Sequence, residues 1–118
     1  MRSDNLIQQK SYNFALNIIK LAQKLKEATH FEISSQVLRS GTSIGANVEE
    51  AIGGQSRKDF YAKLSIAYKE ARESHYWLRL IKDSGLYNGD EINNRIEECE
   101  EILKIITAIL NKIKQNGF

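Results

Sequence analysis

The residues best suited to acid–base, nucleophilic or metal chemistry are two histidines, His30 and His75, and a single cysteine, Cys99. A di-iron carboxylate bundle needs Glu-x-x-His on two helices, because two metals take bridging carboxylates and an imidazole one turn further along the same face. One copy is present, Glu27-Ala28-Thr29-His30, and it falls where a helix ends; the residue three before His75 is Arg72, not a glutamate. Nucleases of the HEPN class are also helical bundles, but they space arginine and histidine further apart than Arg72 and His75, which have only Glu73 and Ser74 between them. Cys99 alone makes neither an intramolecular disulfide nor a cysteine zinc site, in keeping with a reducing compartment. At a core heptad position it acts as a small hydrophobe. No phosphate loop, dinucleotide fingerprint or Ser-His-Asp set can be assembled from the rest. The expectation is a non-enzyme with no catalytic residue, no metal and no cofactor.

Charge is the other chemistry available. Seventeen Lys and Arg against fifteen Asp and Glu give a net charge of only +2, but the balance shifts along the chain. It is +1 up to Gln55, +3 over Ser56 to Asp83 and −2 from Ser84 onward. Multiplied around a ring of subunits, the basic faces would form a positive field able to hold phosphates. The candidates are Lys20, Lys24, Arg39, Arg57, Lys58, Lys63 and Arg72, acting on RNA or DNA through phosphate charge without base readout. The alternative is a merely solvated lysine-rich surface.

These side chains must be held by helices. The chain has 118 residues, 42% of them hydrophobic, and no proline, so nothing interrupts long helical runs. One domain over residues 1–118 suits this length. No apolar run approaches a membrane span, and Met1 to Asn5 lacks a signal-peptide core, so a cytoplasmic protein is expected. Ile7, Phe14, Ile18, Leu21 and Leu25 mark a first amphipathic helix from Asn5 to about Ala28. Ile33, Val37, Ser40, Ile44, Val48 and Ala51 mark a second, opening near Ser34 and Ser35 and stopping at Gly53-Gly54. Ser56 caps a third that runs to Asp83, on Phe60, Leu64, Ala67, Ala71, Ser74, Leu78 and Ile81. Ile92, Ile96, Cys99, Leu103, Ile106, Leu110 and Ile113 mark a fourth from near Asp90, with frayed residues at both chain ends. Short connections make neighbours antiparallel, so the fold class is all-α, an up-down-up-down four-helix bundle.

Apolar residues exceed what one such seam uses. Ile66, Trp77 and Leu80 lie off the seam of the third helix, Tyr61, Tyr68 and His75 form another row, and Ile102, Ile105 and Ile109 add a second stripe to the fourth. Exposed apolar stripes mark association surfaces, so a homo-oligomer is expected through Ile66, Tyr68, Trp77, Leu80, Ile102, Ile105 and Ile109, the alternative being a bundle that wraps these wide faces inward. The second helix carries Gly41 and Gly45, whose cost in helix propensity a closely packed neighbouring backbone would offset. Beside them Arg39, Ser43 and Asn47, four apart, are placed to hydrogen-bond across that contact or to meet a ligand at a subunit boundary, and Glu70, Glu73 and Arg72 to pair across subunits.

The segment Ser35 to Ala51, Ser-Gln-Val-Leu-Arg-Ser-Gly-Thr-Ser-Ile-Gly-Ala-Asn-Val-Glu-Glu-Ala, followed by Ser56-Arg57-Lys58-Asp59-Phe60 and Lys63 to Leu78, resembles the 23S rRNA intervening-sequence protein family. The resemblance covers essentially the whole chain. It implies a small bacterial four-helix bundle, without an assigned activity in most members and not an established ribosome component. Accessory proteins of diversity-generating retroelements are similar bundles that form basic pentameric barrels and bind nucleic acid and a reverse transcriptase. The resemblance therefore implies a pentamer and nucleic-acid binding. The rival expectation is a protein-interaction scaffold with no nucleic acid, whose partner the sequence does not name.

Overall fold

A computed structural model describes residues 2–117; Met1 and Phe118, which the sequence places at frayed ends, lie outside the described residues. The four helices are α1 (Arg2–Glu27), α2 (Phe31–Ile52), α3 (Arg57–Asp83) and α4 (Asp90–Asn116). They alternate up and down in a bundle 46 Å long and about 20 Å across. α1 and α3 occupy opposite corners, and each packs against both α2 and α4.

α3 starts as its sequence dictates. Ser56 is extended, with φ −148°, and its side-chain oxygen accepts the Asp59 N–H at 3.0 Å, satisfying one of the first turn's orphan donors. The helix ends before Gly85, whose φ of 72° suits a residue without a Cβ. α2 departs from expectation, because it opens at Phe31 rather than near Ser34. Thr29, at φ 68°, reverses the chain sharply enough for the helix to start at once. Ser34 is then free for another task, and its hydroxyl donates to the Ala22 carbonyl of α1 at 2.6 Å.

The two glycines of α2 explain how closely α1 approaches. A Cβ on Gly45 would lie 3.4 Å from the Ser11 carbonyl oxygen, so at this position it is the neighbouring backbone that comes near. At Gly41 the neighbour is a side chain: a Cβ there would sit 2.8 Å from Cγ2 of Ile18, which is fully buried.

On its other side α2 meets α3 through a buried polar contact. Ser40 and Ser74 are both fully buried, and the Ser74 hydroxyl donates to the Ser40 oxygen at 2.9 Å. Removing one partner strands the other in an apolar core, whereas removing both leaves nothing unpaired. Ser40→Ala or Ser74→Ala is expected to lower stability by about 1–2 kcal/mol, and the double variant by clearly less than the sum. Urea unfolding of the three variants checks this.

The core contains the predicted seams of α1, α2 and α3, and corrects that of α4. Ile102 and Ile109, assigned from the sequence to an outer association stripe, are 1% and 9% exposed and belong to the chain's own core. Ile105 packs partly buried against it. The reason is geometric: α4 fills the corner between α3 and α1 and must bury a stripe wider than one heptad seam. Ile102 turns towards Phe14 of α1, while Leu103 turns towards Tyr68 and Arg72 of α3.

Candidate functional site

Ion pairs within the chain divide the candidate phosphate-binding residues into two groups. Lys24 of α1 donates to both carboxylate oxygens of Glu91 of α4 at 2.9 Å, and this bond raises its pKa. Lys63 pairs with Glu50 at 3.0 Å. Arg39 reaches from α2 to α3, where it donates to Glu70 at 3.2 Å and to Glu73. Glu70 and Glu73, expected to pair across subunits with Arg72, thus serve Arg39 of the same chain. Ser43 and Asn47 bond back along their own helix, to the Arg39 and Ser43 carbonyls, and do not cross to a neighbour. Lys20, Arg57 and Lys58 have no ion pair with a described residue, and Arg72 donates to the Tyr68 hydroxyl at 3.2 Å.

Lys20, on α1, stands apart, while the unpaired cations of α3 and α4 share one face. Along the outer side of α3, Lys58, Ser65, Lys69, Arg72, Tyr76 and Arg79 recur at three-, four- and seven-residue spacing, so they share a stripe. All but the half-buried Ser65 are exposed. α4 supplies the opposite wall. All its acids fall at or before Glu101, and from Ile102 onward it carries Lys104, Lys112 and Lys114 with no acid. Antiparallel packing lays this basic half beside the basic start of α3. Between them lies an open depression of about 360 Å³, lined by Tyr68, Arg72, Leu103, Lys104, Thr107 and Asn111. A second, of about 700 Å³, continues from Arg72 and Leu103 past Tyr76 to Arg79. The Arg72 and Arg79 guanidinium groups lie 6.0 and 5.9 Å from the centres of the Tyr68 and Tyr76 rings. Lys69, Tyr76, Arg79 and Lys104 were not among the residues singled out from the sequence. Their signal was present in the α3 spacing and in the charge reversal within α4, which a regional total of −2 conceals.

The residues suited to catalysis are differently occupied. His75 Nε2 lies 3.0 Å from Glu100 Oε2, tying α3 to α4 beside Arg72, Tyr76 and Arg79. His30 lies in the α1–α2 connection, where its N–H donates to the Leu25 carbonyl. The Cys99 thiol is fully buried, donates to the Ala71 carbonyl at 3.2 Å, and has its pKa pushed up to about 12 by burial, so it stays an unreactive thiol at neutral pH. Among the described residues no cluster of three or more His, Cys, Asp or Glu could hold a metal ion. No described helix is long and apolar enough to cross a membrane.

Of the residues expected at an oligomer interface, Ile66 and Leu80 are each 40% exposed. Tyr68 and Trp77 are half-buried against the core. The Trp77 indole donates to Glu73 at 2.9 Å, and this bond, followed by the contact with Arg39, lowers the Glu73 pKa. The contribution to stability is thus complete above about pH 4.5, the ordinary glutamate value, and is lost as pH falls through the lower folded value. An acid titration followed by Trp77 fluorescence is expected to show a transition centred below 4.5, abolished in Glu73→Gln. A larger apolar surface went unnoticed in the sequence. Tyr12, Leu16 and Ile19 of α1 and Phe31 and Leu38 of α2 are 37–62% exposed, and Ile19, Phe31 and Leu38 line an open groove of about 610 Å³.

The family model for the 23S rRNA-intervening sequence protein matches residues 3–108. The chain belongs to this family. Among solved structures, it is similar to a crystal structure of a protein of unknown function from the S23 ribosomal protein family from Bacteroides thetaiotaomicron VPI-5482. The two are 42% identical, with a TM-score of 0.88, over 92% of this chain and 98% of that one. No curated protein matches the chain. The 23S rRNA-intervening sequence match spans α1, α2, α3 and the first two-thirds of α4, including Lys104, and stops before Lys112 and Lys114.

Proposed function

We propose that this member of the 23S rRNA-intervening sequence protein family is a non-enzymatic cytoplasmic bundle that assembles into a ring and holds RNA or DNA by its phosphates. The observation that carries this reading is the α3–α4 face. Lys58, Lys69, Arg72, Arg79 and Lys104 converge there without an ion pair to a described carboxylate, while Lys24, Arg39 and Lys63 are neutralised within the chain. Unpaired cations gain most from a polyanion, because binding releases its condensed counterions and breaks no existing pair. This moves the proposed contacts from the first and third helices to the third and fourth, with Arg57, Lys58 and Arg72 retained.

Two distinct apolar surfaces support assembly. One is the α1–α2 groove; the other is the edge of α3 carrying Ile66 and Leu80. Contact of one with the other on a second copy is head-to-tail, and such contacts form a ring where the rotation between copies closes. Five subunits are proposed, as the resemblance to retroelement accessory proteins implies.

The test is binding of nuclease-treated protein to fluorescent RNA and DNA across a salt series, with mass by light scattering in the same buffers. Micromolar or tighter binding that falls linearly on a log–log salt plot, by an oligomer, is the expected result. An intact oligomer that binds nothing at low salt overturns the nucleic-acid reading. The α1–α2 groove would then favour the second reading, a scaffold for another protein, and a stoichiometric protein partner surviving nuclease treatment would be its signature.

A further inference from the structure

We infer that the ligand of the α3–α4 face is a single strand, with unstacked bases packing on Tyr76 and the sugar–phosphate chain following Arg72, Arg79 and Lys104. This rests on the nucleic-acid reading above and narrows it. Three features of the face point the same way. Two adjoining depressions share Arg72 and Leu103: Arg72 meets Lys104 across one, and Tyr76 and Arg79, with Glu73 and His75, line the other. Second, the depressions contain aromatic surface that phosphates have no use for. Tyr76 is 49% exposed, and its ring meets Trp77 in a T-shaped contact, with centroids 5.3 Å apart and planes at 63°.

Third, the guanidinium groups of Arg72 and Arg79 lie beside the tyrosine rings rather than on carboxylates. Guanidinium and phenol planes are the surfaces on which splayed bases stack. In a duplex the base faces are covered by neighbouring pairs, so this aromatic surface would add nothing to its binding. A single strand gains both terms, because each base stacked on an aromatic side chain contributes on top of the phosphate charge. Thr107 and Asn111, on the α4 wall, offer hydroxyl and amide groups to the strand but no fixed pattern for one base sequence. The preference is therefore for strandedness and not for sequence.

The experiment compares an oligothymidylate of about twenty nucleotides, longer than one site requires, with a hairpin duplex of equal phosphate number, by fluorescence anisotropy at one moderate salt concentration. Wild type is expected to bind the strand at least about tenfold tighter. Tyr76→Leu is expected to weaken strand binding by about tenfold and leave duplex binding unchanged, while Tyr76→Phe, which keeps the ring, behaves as wild type. Tyr76 is half exposed, so both variants are expected to fold, and the wild-type comparison needs neither. Equal or tighter duplex binding overturns the inference while leaving phosphate binding standing, as does a Tyr76→Leu variant that binds the strand normally or loses both ligands alike. If neither ligand binds at low salt, the inference and the reading beneath it fall together.

Discussion

Replacing Arg72 and Lys104 together by glutamate is expected to weaken nucleic-acid binding by about a hundredfold at low salt, and to flatten the log–log salt dependence by about two. The two residues face each other across the α3–α4 depression, and neither has an ion pair to a described carboxylate. Each replacement removes one phosphate contact and places a negative charge where the polyanion runs. Loss should be uniform across sequences, since phosphate contacts carry no base information. The control comes from the cations already neutralised inside the chain. Lys24→Gln and Lys63→Gln break contacts with Glu91 and Glu50, so they are expected to change affinity less than about twofold and stability by less than about 1 kcal/mol. Anisotropy titrations with circular dichroism on each variant separate lost binding from lost fold. If the Lys24 and Lys63 variants lose as much as the Arg72/Lys104 variant, only net charge matters and no face is assigned.

The second large effect concerns the α1–α2 contact. Gly41→Val is expected to destabilise the bundle by about 2–4 kcal/mol, despite replacing a poor helix former. The added Cβ would lie 2.8 Å from Ile18 Cγ2, and Ile18 is fully buried. Valine then adds two further methyl groups at that contact. Gly45→Ala differs in kind, because its Cβ would meet the Ser11 carbonyl at 3.4 Å, an ordinary contact. There the gain in propensity, about 1 kcal/mol, is expected to offset the crowding and leave stability near wild type. A double variant, Gly41→Val with Ile18→Ala, gives the valine room and should cost less than the sum of its parts. Thermal and urea unfolding provide both comparisons. A fully stable Gly41→Val would mean that the helices separate easily, contrary to the packing described.

The bundle was legible because each helix repeats its apolar residues in phase and the punctuation agrees with the pattern. Ser56 caps where it should, and the absence of proline leaves each helix unbroken. What escaped was anything that depends on the angle between neighbours. A heptad reading assigned Ile102 and Ile109 to a second stripe, because one strip of sequence does not reveal that α4 fills a corner. The start of α2 was misplaced for a related reason: Ser34 looks like a cap, but its hydroxyl is used by α1. The candidate site was half legible. Charge totals located α3, and Arg57, Lys58 and Arg72 remain, but a total does not distinguish Arg39, held by Glu70 and Glu73, from an unengaged arginine. Nor does it register that α4 changes sign at Glu101.

That change of sign matters most before contact is made. With acids up to Glu101 and lysines alone beyond it, α4 is a charged lever lying along the bundle axis. On the proposed reading, an approaching polyanion would be repelled at one end and drawn in at the other, and so turned towards the basic half during diffusion. Charge should therefore govern how fast complexes form, and added salt should slow capture steeply. On the same reading, the residence time would belong to short-range contacts such as Tyr76, which act only once the strand has arrived. Stopped-flow mixing at several salt concentrations would separate the two, with the association rate following α4's charge and the dissociation rate following the ring.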